Sequence, residues 1–289
     1  ILLGSKEKMA AIIEEYQLEL QEAEFIDVTT DSAGREEYAA QMYEFRKRRG
    51  WTMGECRSKI KSREYYGNMM LRDGAADALI SGLTVKYPTA LRPILRIIGM
   101  EEGMRKAAGM YILLSKRGPM FFADTTINLD PTVEDLVQMV LNVADTVKRT
   151  NITPKVALLS YSNFGSSNGP DARKMAQASS ILRKEHPDLI VDGEMQANFA
   201  LEPELLKESF PFSDLVGHQA NVFIFPNLAA GNITYKMLQS FGAAEAIGPM
   251  LIGTKSSAHV LQLGASVREI VNMATLAAVD ARNRKVKKG

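Results

Sequence analysis

The stretch that decides the fold reads Val156-Ala157-Leu158-Leu159-Ser160-Tyr161-Ser162-Asn163-Phe164-Gly165-Ser166. Four consecutive apolar residues after Pro154, followed by polar and small residues, are typical of a strand that is buried on both faces of a sheet. A helical pattern then runs from Asp171 to about Glu185. Where a strand leads through a polar loop into a helix, backbone N–H groups and the helix dipole can hold phosphate groups. Many such loops bind nothing, so the local pattern leaves both interpretations open.

Strand-like and helix-like segments alternate on both sides of this stretch. Besides 156–159, the strand candidates are 1–3, which ends in a glycine turn at residue 4, and 25–28, 74–82, 110–114, 120–123, 189–194, 221–225 and 246–252. Predicted helices cover 6–20, a segment that ends at Gly50, 55–70, 88–98, a segment opening at 130–131, 171–185, 231–242 and 266–283. This alternation predicts an α/β protein with mainly parallel sheets. Three glycines between residues 99 and 109 indicate a domain boundary there.

Composition limits the classes of function. The chain has 289 residues, of which 46% are apolar and 24% charged, and its formal net charge is +1. This balance gives no electrostatic argument for a nucleic-acid or membrane partner. Cys56 is the only cysteine, and the histidines are far apart, so we predict no disulfide framework and no metal site. No membrane-length apolar run or signal peptide is visible, and we therefore expect a cytoplasmic protein.

One basic run, Arg46-Lys47-Arg48-Arg49, ends a helical pattern just before Gly50. Cations at this place compensate the helix dipole, so a solvated helix end is one interpretation. The other interpretation is that one of these arginines binds a phosphate group, because the guanidinium group binds phosphate oxygens well.

Ordered motifs along the chain resemble those of the phosphate acetyl/butyryltransferase family. They include Tyr66-Gly67-Asn68-Met69-Met70, Ala76-Asp77-Ala78-Leu79-Ile80-Ser81-Gly82, Leu91-Arg92-Pro93, Ala123-Asp124-Thr125, Asp192-Gly193-Glu194-Met195-Gln196, Phe225-Pro226-Asn227-Leu228 and Ile247-Gly248-Pro249. The resemblance implies a two-domain, three-layer α/β/α fold of the isocitrate/isopropylmalate dehydrogenase type. Domain I would combine residues 1–98 and 253–289, and domain II would be the inserted segment 99–252. Members usually begin with one more strand and helix, so we expect the chain to be a C-terminal piece of a longer protein.

The segment His259 to Glu269 departs from the members of this family that transfer acetyl groups. Those members resemble one another in a segment reading Asp-Leu-Ser-Arg-Gly-Cys-Ser, with an Asp further on, and its Ser, Arg and Asp are tied to catalysis. Here Gln262 stands at the Ser, Leu263 at the Arg and Glu269 at the Asp. The loop at 162–166 departs as well, because the transferases read Ser-Thr-Lys-Gly-Ser there. Both segments look instead like the C-terminal domain of large bacterial NADP-dependent malic enzymes.

These substitutions predict that acyl transfer is lost. Leucine cannot hold the phosphate dianion that a guanidinium group would hold, and a glutamine amide does not titrate and cannot act as a base. We therefore expect a regulatory domain that binds acetyl-CoA. An active phosphate acetyl- or butyryltransferase with a changed site is the alternative, and a purely architectural oligomerisation domain is a third interpretation.

Binding of CoA does not depend on Leu263 alone. The residues expected to bind CoA or its phosphates are Arg92, Ser162, Asn163, Gly165, Ser166, Asn221, Asn232, Lys236 and Gly264. Structural roles are the alternatives: Lys236 as an exposed helix residue, and Asn221 as a partner of backbone groups in a turn. The resemblance further implies a homo-oligomer and a malic-enzyme catalytic portion in the same polypeptide. NADP and a divalent metal (Mg or Mn) would bind in that portion, outside this chain.

Overall fold

A computed structural model describes residues 1–20 and 22–286, so the last three residues of the predicted domain I (287–289) lie outside the described residues. The strands are β1 (Leu2–Leu3), β2 (Phe25–Ile26), β3 (Ala78–Gly82), β4 (Ala108–Ser115), β5 (Gly118–Ala123), β6 (Lys155–Leu159), β7 (Ile190–Met195), β8 (Val222–Ile224), β9 (Glu245–Ile252) and β10 (Ser257–Leu261). The α-helices are α1 (Lys6–Tyr16), α2 (Ser32–Arg46), α3 (Met53–Lys59), α4 (Arg63–Asp73), α5 (Tyr87–Ile97), α6 (Val133–Lys148), α7 (Pro170–Glu185), α8 (Ala197–Leu201), α9 (Pro203–Ser209), α10 (Leu228–Ser240) and α11 (Val267–Val286).

A six-stranded sheet in the order β7-β6-β8-β5-β4-β9 dominates the architecture. β6 pairs in parallel with β7 and β8, and β5 also pairs in parallel with β8. Only β4 runs antiparallel to its neighbours, β5 and β9. Two smaller parallel sheets pair β1 with β2 and β3 with β10. The predicted α/β class with mainly parallel sheets is confirmed.

The two faces of the six-stranded sheet are covered by different helices. Along β4, Met110 and Ile112 belong to the core that contains α6 and α7, whereas Tyr111 and Leu113 belong to the core that contains α9 and α10. Successive side chains of a strand point to opposite faces, which is why one strand supplies both cores. Helix, sheet and helix thus form the three layers that the family resemblance implies.

The β3–β10 pair joins two segments that are distant in sequence, and both belong to the predicted domain I. A separate core contains α2 to α5 and the inner face of this pair, with Val260 and Ala258 from β10. The core that contains α6 and α7 also includes Leu261 and Met273, which belong to the predicted domain I. The exact division into domains stays a prediction.

Several element boundaries differ from those predicted. The single helix expected over 55–70 is two helices, because Ser62 leaves helical geometry and its side chain caps α4 by accepting the N–H of Tyr65. Helix α6 begins after Thr132, whose capping box with Asp135 displaces the expected start at 130–131. Helix α10 begins after Asn227 rather than at residue 231. β10 was not predicted as a strand.

Candidate functional site

The loop after β6 is organised around a carboxyl group from the neighbouring strand. Glu194, near the end of β7, is only 2% exposed. Its Oε1 accepts a hydrogen bond from the Ser162 hydroxyl (2.9 Å) and another from the Gly165 N–H (2.7 Å). Its main-chain oxygen accepts the N–H of Phe164 (2.9 Å). The chain's own carboxyl group therefore accepts two donors of this loop that could otherwise bind an anion.

The backbone of this loop is shaped for that role. Phe164 and Gly165 both have left-handed φ values, 46° and 89°, which turn successive N–H groups inward. The N–H of Gly165, a residue expected to bind CoA or its phosphates, donates to Glu194, and its role in ligand binding stays a prediction. Ser166 is also engaged, since its Oγ accepts the N–H of Asn163 (2.9 Å).

Asn163 retains one unused group. Its Oδ1 accepts the N–H of Gln196 (2.8 Å). Its Nδ2 donates to no atom in the described part of the chain. This amide nitrogen is the part of the loop that remains available to a ligand.

Asn221 lies at the opposite end of the strands from this loop, which follows the carboxyl end of β6. It precedes β8, which is parallel to β6, so it lies beside the start of β6 rather than its end. Its Oδ1 accepts the N–H of Lys155 (2.8 Å), and its Nδ2 donates to the carbonyl of Thr153 (2.9 Å). The structure does not bring Asn221 to the other predicted residues; its side chain connects two backbone segments.

The segment between β10 and α11 and the start of α11 contain Gln262, Leu263 and Glu269, which the sequence resemblance matches to catalytic residues. Gln262 lies directly after β10, and its Nε2 donates to the Tyr235 hydroxyl (3.1 Å). Leu263 is 60% exposed, and Gly264 follows with a left-handed φ of 77°. The turn therefore presents an apolar side chain to solvent at the position that the sequence resemblance matches to an arginine.

Glu269 has a capping role. Its Oε2 accepts hydrogen bonds from the N–H (2.7 Å) and the hydroxyl (2.8 Å) of Ser266. In return, the Ser266 hydroxyl accepts the N–H of Glu269 (3.2 Å). This reciprocal pair is a capping box at the start of α11. It holds the carboxyl group of Glu269 at the start of α11, where the negative charge also interacts favourably with the positive end of the helix dipole.

Helix α10 contacts both this turn, through Tyr235, and the segment that follows β5. Gly231 packs so closely on the Asp124 carbonyl that a Cβ atom would lie 2.3 Å from that oxygen. One residue further, Asn232 Nδ2 donates to the carbonyl of Thr125 (3.0 Å). Asn232 therefore fixes α10 to the segment that follows β5.

A group of tyrosines underlies the turn and was not singled out from the sequence. The rings of Tyr111 and Tyr235 stack at 4.1 Å between centroids. Tyr87, at the start of α5, has a buried hydroxyl with no hydrogen-bond partner in the described chain. Burial raises the pKa of Tyr87, and the charge of Asp124 raises it further. The only sequence signal was the spacing of Gly231 and Tyr235, which puts both on the sheet-facing side of α10.

Two predicted cations remain free. Lys236 is exposed, with its Nζ 5.2 Å from the centroid of the Tyr235 ring. Arg92 is exposed on α5. Neither side chain makes an ion pair or hydrogen bond with any residue that the structure describes. Both are available to an anionic ligand, and Lys236 lies beside Tyr235, the partner of Gln262.

Within residues 1–20 and 22–286, no group of histidine, cysteine, aspartate and glutamate side chains is arranged to hold a metal ion. The helices of the same segments are too short or too polar to cross a membrane.

Comparison with known proteins identifies relatives over the whole chain. The family model described as phosphate acetyl/butaryl transferase matches residues 1–278. The phosphate acetyltransferase of Clostridium acetobutylicum is 34% identical over 289 residues, which span 98% of this chain and 86% of that protein. The NADP-dependent malic enzyme of Haemophilus influenzae is 38% identical over 286 residues, spanning 98% of this chain but only 38% of that enzyme. A phosphotransacetylase structure from Streptococcus pyogenes superposes with a TM-score of 0.89 at 32% identity, covering 98% of this chain and 85% of that one.

Proposed function

Since the chain belongs to the phosphate acetyl/butaryl transferase family, we propose that it is a phosphotransacetylase-like regulatory domain that binds acetyl-CoA without transferring its acyl group. The observation that carries this proposal is the state of Gln262, Leu263 and Glu269. Gln262 donates a hydrogen bond to a tyrosine, Leu263 is an exposed apolar side chain, and Glu269 caps a helix.

None of these groups supports acyl transfer between CoA and phosphate. Stabilising the charge of the transition state requires a donor or cation where Leu263 offers only methyl groups, and losing one such contact costs about two to three orders of magnitude in rate. Gln262 has an amide that does not titrate. Glu269 would have to abandon two hydrogen bonds at the start of α11 before it could serve as a base.

Binding of acetyl-CoA is supported by groups that the fold leaves unused. CoA carries phosphates, which Lys236 and Arg92 can neutralise, and an amide-rich arm, to which the Asn163 Nδ2 can donate. The remaining loop residues Ser162, Gly165 and Ser166 shape the wall of the site around Glu194 rather than contact the ligand with free donors.

The regulated activity lies in a longer polypeptide. We propose that this chain is the C-terminal portion of a cytoplasmic NADP-dependent malic enzyme, because it spans 38% of such a relative. NADP and the divalent metal would bind in the catalytic portion. Acetyl-CoA would act on that portion by binding its two conformational states with different affinities.

Homo-oligomerisation is part of the proposal. Ile233 and Met237 on α10 and Phe241 directly after it recur at four-residue spacing and are at least half exposed. The turn before α11 and its first residues repeat this pattern with Leu263, Val267 and Val271, which are equally exposed. Exposed apolar side chains that are grouped in this way are typical of surfaces covered by another chain.

An active phosphate acetyl- or butyryltransferase is the second candidate. It is favoured by the phosphate acetyltransferase relative, of which the chain covers 86%. In that case the free cations would hold phosphate and CoA, and some other group would replace the missing base.

The deciding experiment follows thioester formation from acetyl phosphate and CoA with this chain, and measures its melting temperature with and without acetyl-CoA. We expect no turnover above background and a rise in melting temperature that saturates with acetyl-CoA. Turnover above background would establish the transferase instead. Absence of both turnover and protection would leave the architectural interpretation.

A double substitution sharpens the result. Gln262→Ser with Leu263→Arg restores the side chains of the transferases at the exposed turn, and we expect it to give turnover at least tenfold above background. Gln262→Ser alone is the matched control and is expected to give no gain. Equal rates in the two variants would contradict the role assigned to Leu263.

A further inference from the structure

The ends of β3 and β10 lie side by side and lead into helix α5 and into the turn at Gln262. The two strands pair in parallel, and Leu261, the last residue of β10, lies opposite Gly82, the last residue of β3. A Cβ atom on Gly82 would lie 2.2 Å from the Leu261 carbonyl oxygen, so this approach requires glycine. Gln262 directly follows one strand end, and Tyr87 begins α5 shortly after the other. The fold thus brings Tyr87 to the edge of the sheet that carries the turn.

The six-stranded sheet contributes to the same region through the end of β5, which runs parallel to β8. Asp124 follows β5, and Gly231 of α10 packs on its carbonyl oxygen. From the same helix, the Tyr235 hydroxyl accepts a hydrogen bond from the Nε2 of Gln262 (3.1 Å). Carboxyl ends of parallel strands from two sheets therefore meet around Gln262 and Tyr87. Such strand ends are where open α/β sheets bind ligands.

The hydroxyl group of Tyr87 is an unsatisfied polar group in this region. It is buried, and no atom of the described residues forms a hydrogen bond with it. Buried tyrosine hydroxyl groups normally have a partner, because an unpaired donor has lost water without gaining an acceptor. Asp124 is not that partner, since its two oxygens already accept hydrogen bonds from Gly109, Thr126, Ile127 and Asn128. The free donor therefore indicates an acceptor that the chain itself does not provide.

The charge near Tyr87 indicates which kind of acceptor suits it. Burial raises the pKa of Tyr87, and the negative charge of Asp124 raises it further, so the hydroxyl group keeps its proton near neutral pH and can donate it. The same negative charge disfavours an anionic group at this place, whereas a neutral carbonyl oxygen is not repelled. The stacked rings of Tyr111 and Tyr235 add an aromatic surface to the region, which favours a small apolar group.

We propose that the Tyr87 hydroxyl group donates a hydrogen bond to the thioester carbonyl oxygen of a bound short-chain acyl-CoA. This inference rests on the proposed function, because it assigns a partner to the acyl end of the acetyl-CoA that the site would hold. Tyr87 is a specificity-determining residue in this role, since the contact forms with the intact ligand and no bond is broken. Acetyl-CoA and free CoA differ only in the acetyl group, so a contact with that group lets the domain respond to one in the presence of the other.

An analogue without a carbonyl group isolates this contact. S-ethyl-CoA carries the same number of carbon atoms on its sulfur as acetyl-CoA, but a methylene group replaces the carbonyl. The experiment measures the dissociation constants of both ligands by isothermal titration calorimetry in a buffer without phosphate. We expect the parent chain to bind acetyl-CoA roughly tenfold more tightly than S-ethyl-CoA, because the Tyr87 hydroxyl group is already desolvated before the ligand arrives.

Tyr87→Phe removes the hydroxyl group and keeps the ring. We expect it to bind acetyl-CoA roughly tenfold more weakly than the parent chain and S-ethyl-CoA with unchanged affinity, so that the two ligands bind alike. Tyr16→Phe makes the same chemical change on α1, where Tyr16 is 64% exposed, and is the matched control that should leave both affinities unchanged. Because the Tyr87 hydroxyl group is unpaired in the free chain, Tyr87→Phe should not lower the midpoint of urea denaturation.

The inference is overturned if the parent chain binds the two ligands equally well, or if Tyr87→Phe changes both affinities by the same factor or neither. A lower denaturation midpoint in Tyr87→Phe would also contradict it, because the hydroxyl group would then have a partner within the chain. The proposed function fails in a different way. Absence of binding of either ligand to the parent chain would overturn both proposals, whereas equal binding of the two ligands would leave the proposed function intact.

Discussion

The loop 160–166 and the turn 262–269 are both connections from a strand to a helix, yet the fold uses them in opposite ways. In the first, hydroxyl and N–H groups converge on the buried carboxyl group of Glu194. In the second, Leu263 is exposed to solvent and the carboxyl group of Glu269 caps the start of α11. The connection that most resembles a phosphate loop is therefore closed by its own chain. The plainer one carries the three positions that the sequence resemblance matches to catalytic residues.

The largest expected effect comes from opening the first connection. Glu194→Ala leaves the buried Ser162 hydroxyl and the Gly165 N–H without their acceptor, and we expect a loss of about 3–4 kcal/mol in unfolding free energy, measured by urea denaturation. Glu202→Ala is the control, because Glu202 forms an exposed ion pair with Arg117 that is worth under about 1 kcal/mol. Equal losses in the two variants would show that Glu194 does not organise the loop.

The next effect concerns β10, which leads into the second connection. The Nδ1 of buried His259 accepts the N–H of Leu251 (3.2 Å), and its Nε2 lies 3.0 Å from the Ser257 hydroxyl. Burial lowers the pKa of His259 from 6.5 to about 4, and the positive charge of Arg284 lowers it too, although the charge of Asp280 acts against this. Because the folded chain binds this proton less readily than the unfolded chain, stability present above pH 6.5 is lost as the pH falls towards 4.

The expected loss over that interval is about 3 kcal/mol. Urea denaturation of the parent chain and of His259→Asn at several pH values isolates the contribution, since only the parent carries this group. We expect the stability difference between them to shrink from pH 7 to pH 4. A difference that stays constant with pH would contradict the assignment.

The smallest effect tests the second connection itself. Glu269→Ala removes one half of the capping box at Ser266 and should cost about 1 kcal/mol, seen as a small fall in the denaturation midpoint. Arg268→Ala, the adjacent exposed residue that pairs with Glu245, is the control and should change stability by under about 0.5 kcal/mol. If Glu269→Ala lowers acetyl-CoA binding but not stability, its carboxyl group contacts the ligand instead of capping the helix.

Elements with strong local signals were predictable, and boundaries set by single side chains were less so. The apolar run at 156–159 and the periodic helix at 171–185 correspond to β6 and α7 with little change. The break between α3 and α4 was missed because a serine cap at Ser62 competes with a continuous helical pattern. β10 was missed because its pairing partner, β3, lies about 180 residues away, and no local pattern reveals such a contact.

The candidate site shows the same division. Leu263 and Gln262 could be evaluated from their chemistry alone, because no conformation gives leucine a charge or glutamine a titratable proton. Asn221 could not, since an asparagine beside a strand looks the same whether it binds a ligand or the backbone. Only the parallel register of β6 and β8 shows that Asn221 lies beside the amino end of β6, away from the loop that follows this strand.

The sequence by itself determined the α/β class, the family and the chemical character of Gln262, Leu263 and Glu269, because these depend on periodicity and on the functional groups that each residue carries. Tertiary structure decided which groups remain free. It paired the loop donors with the carboxyl group of Glu194 and assigned Glu269 to a helix end. The physical reason is that hydrogen bonds and charges are satisfied between elements that the chain brings together only when it folds.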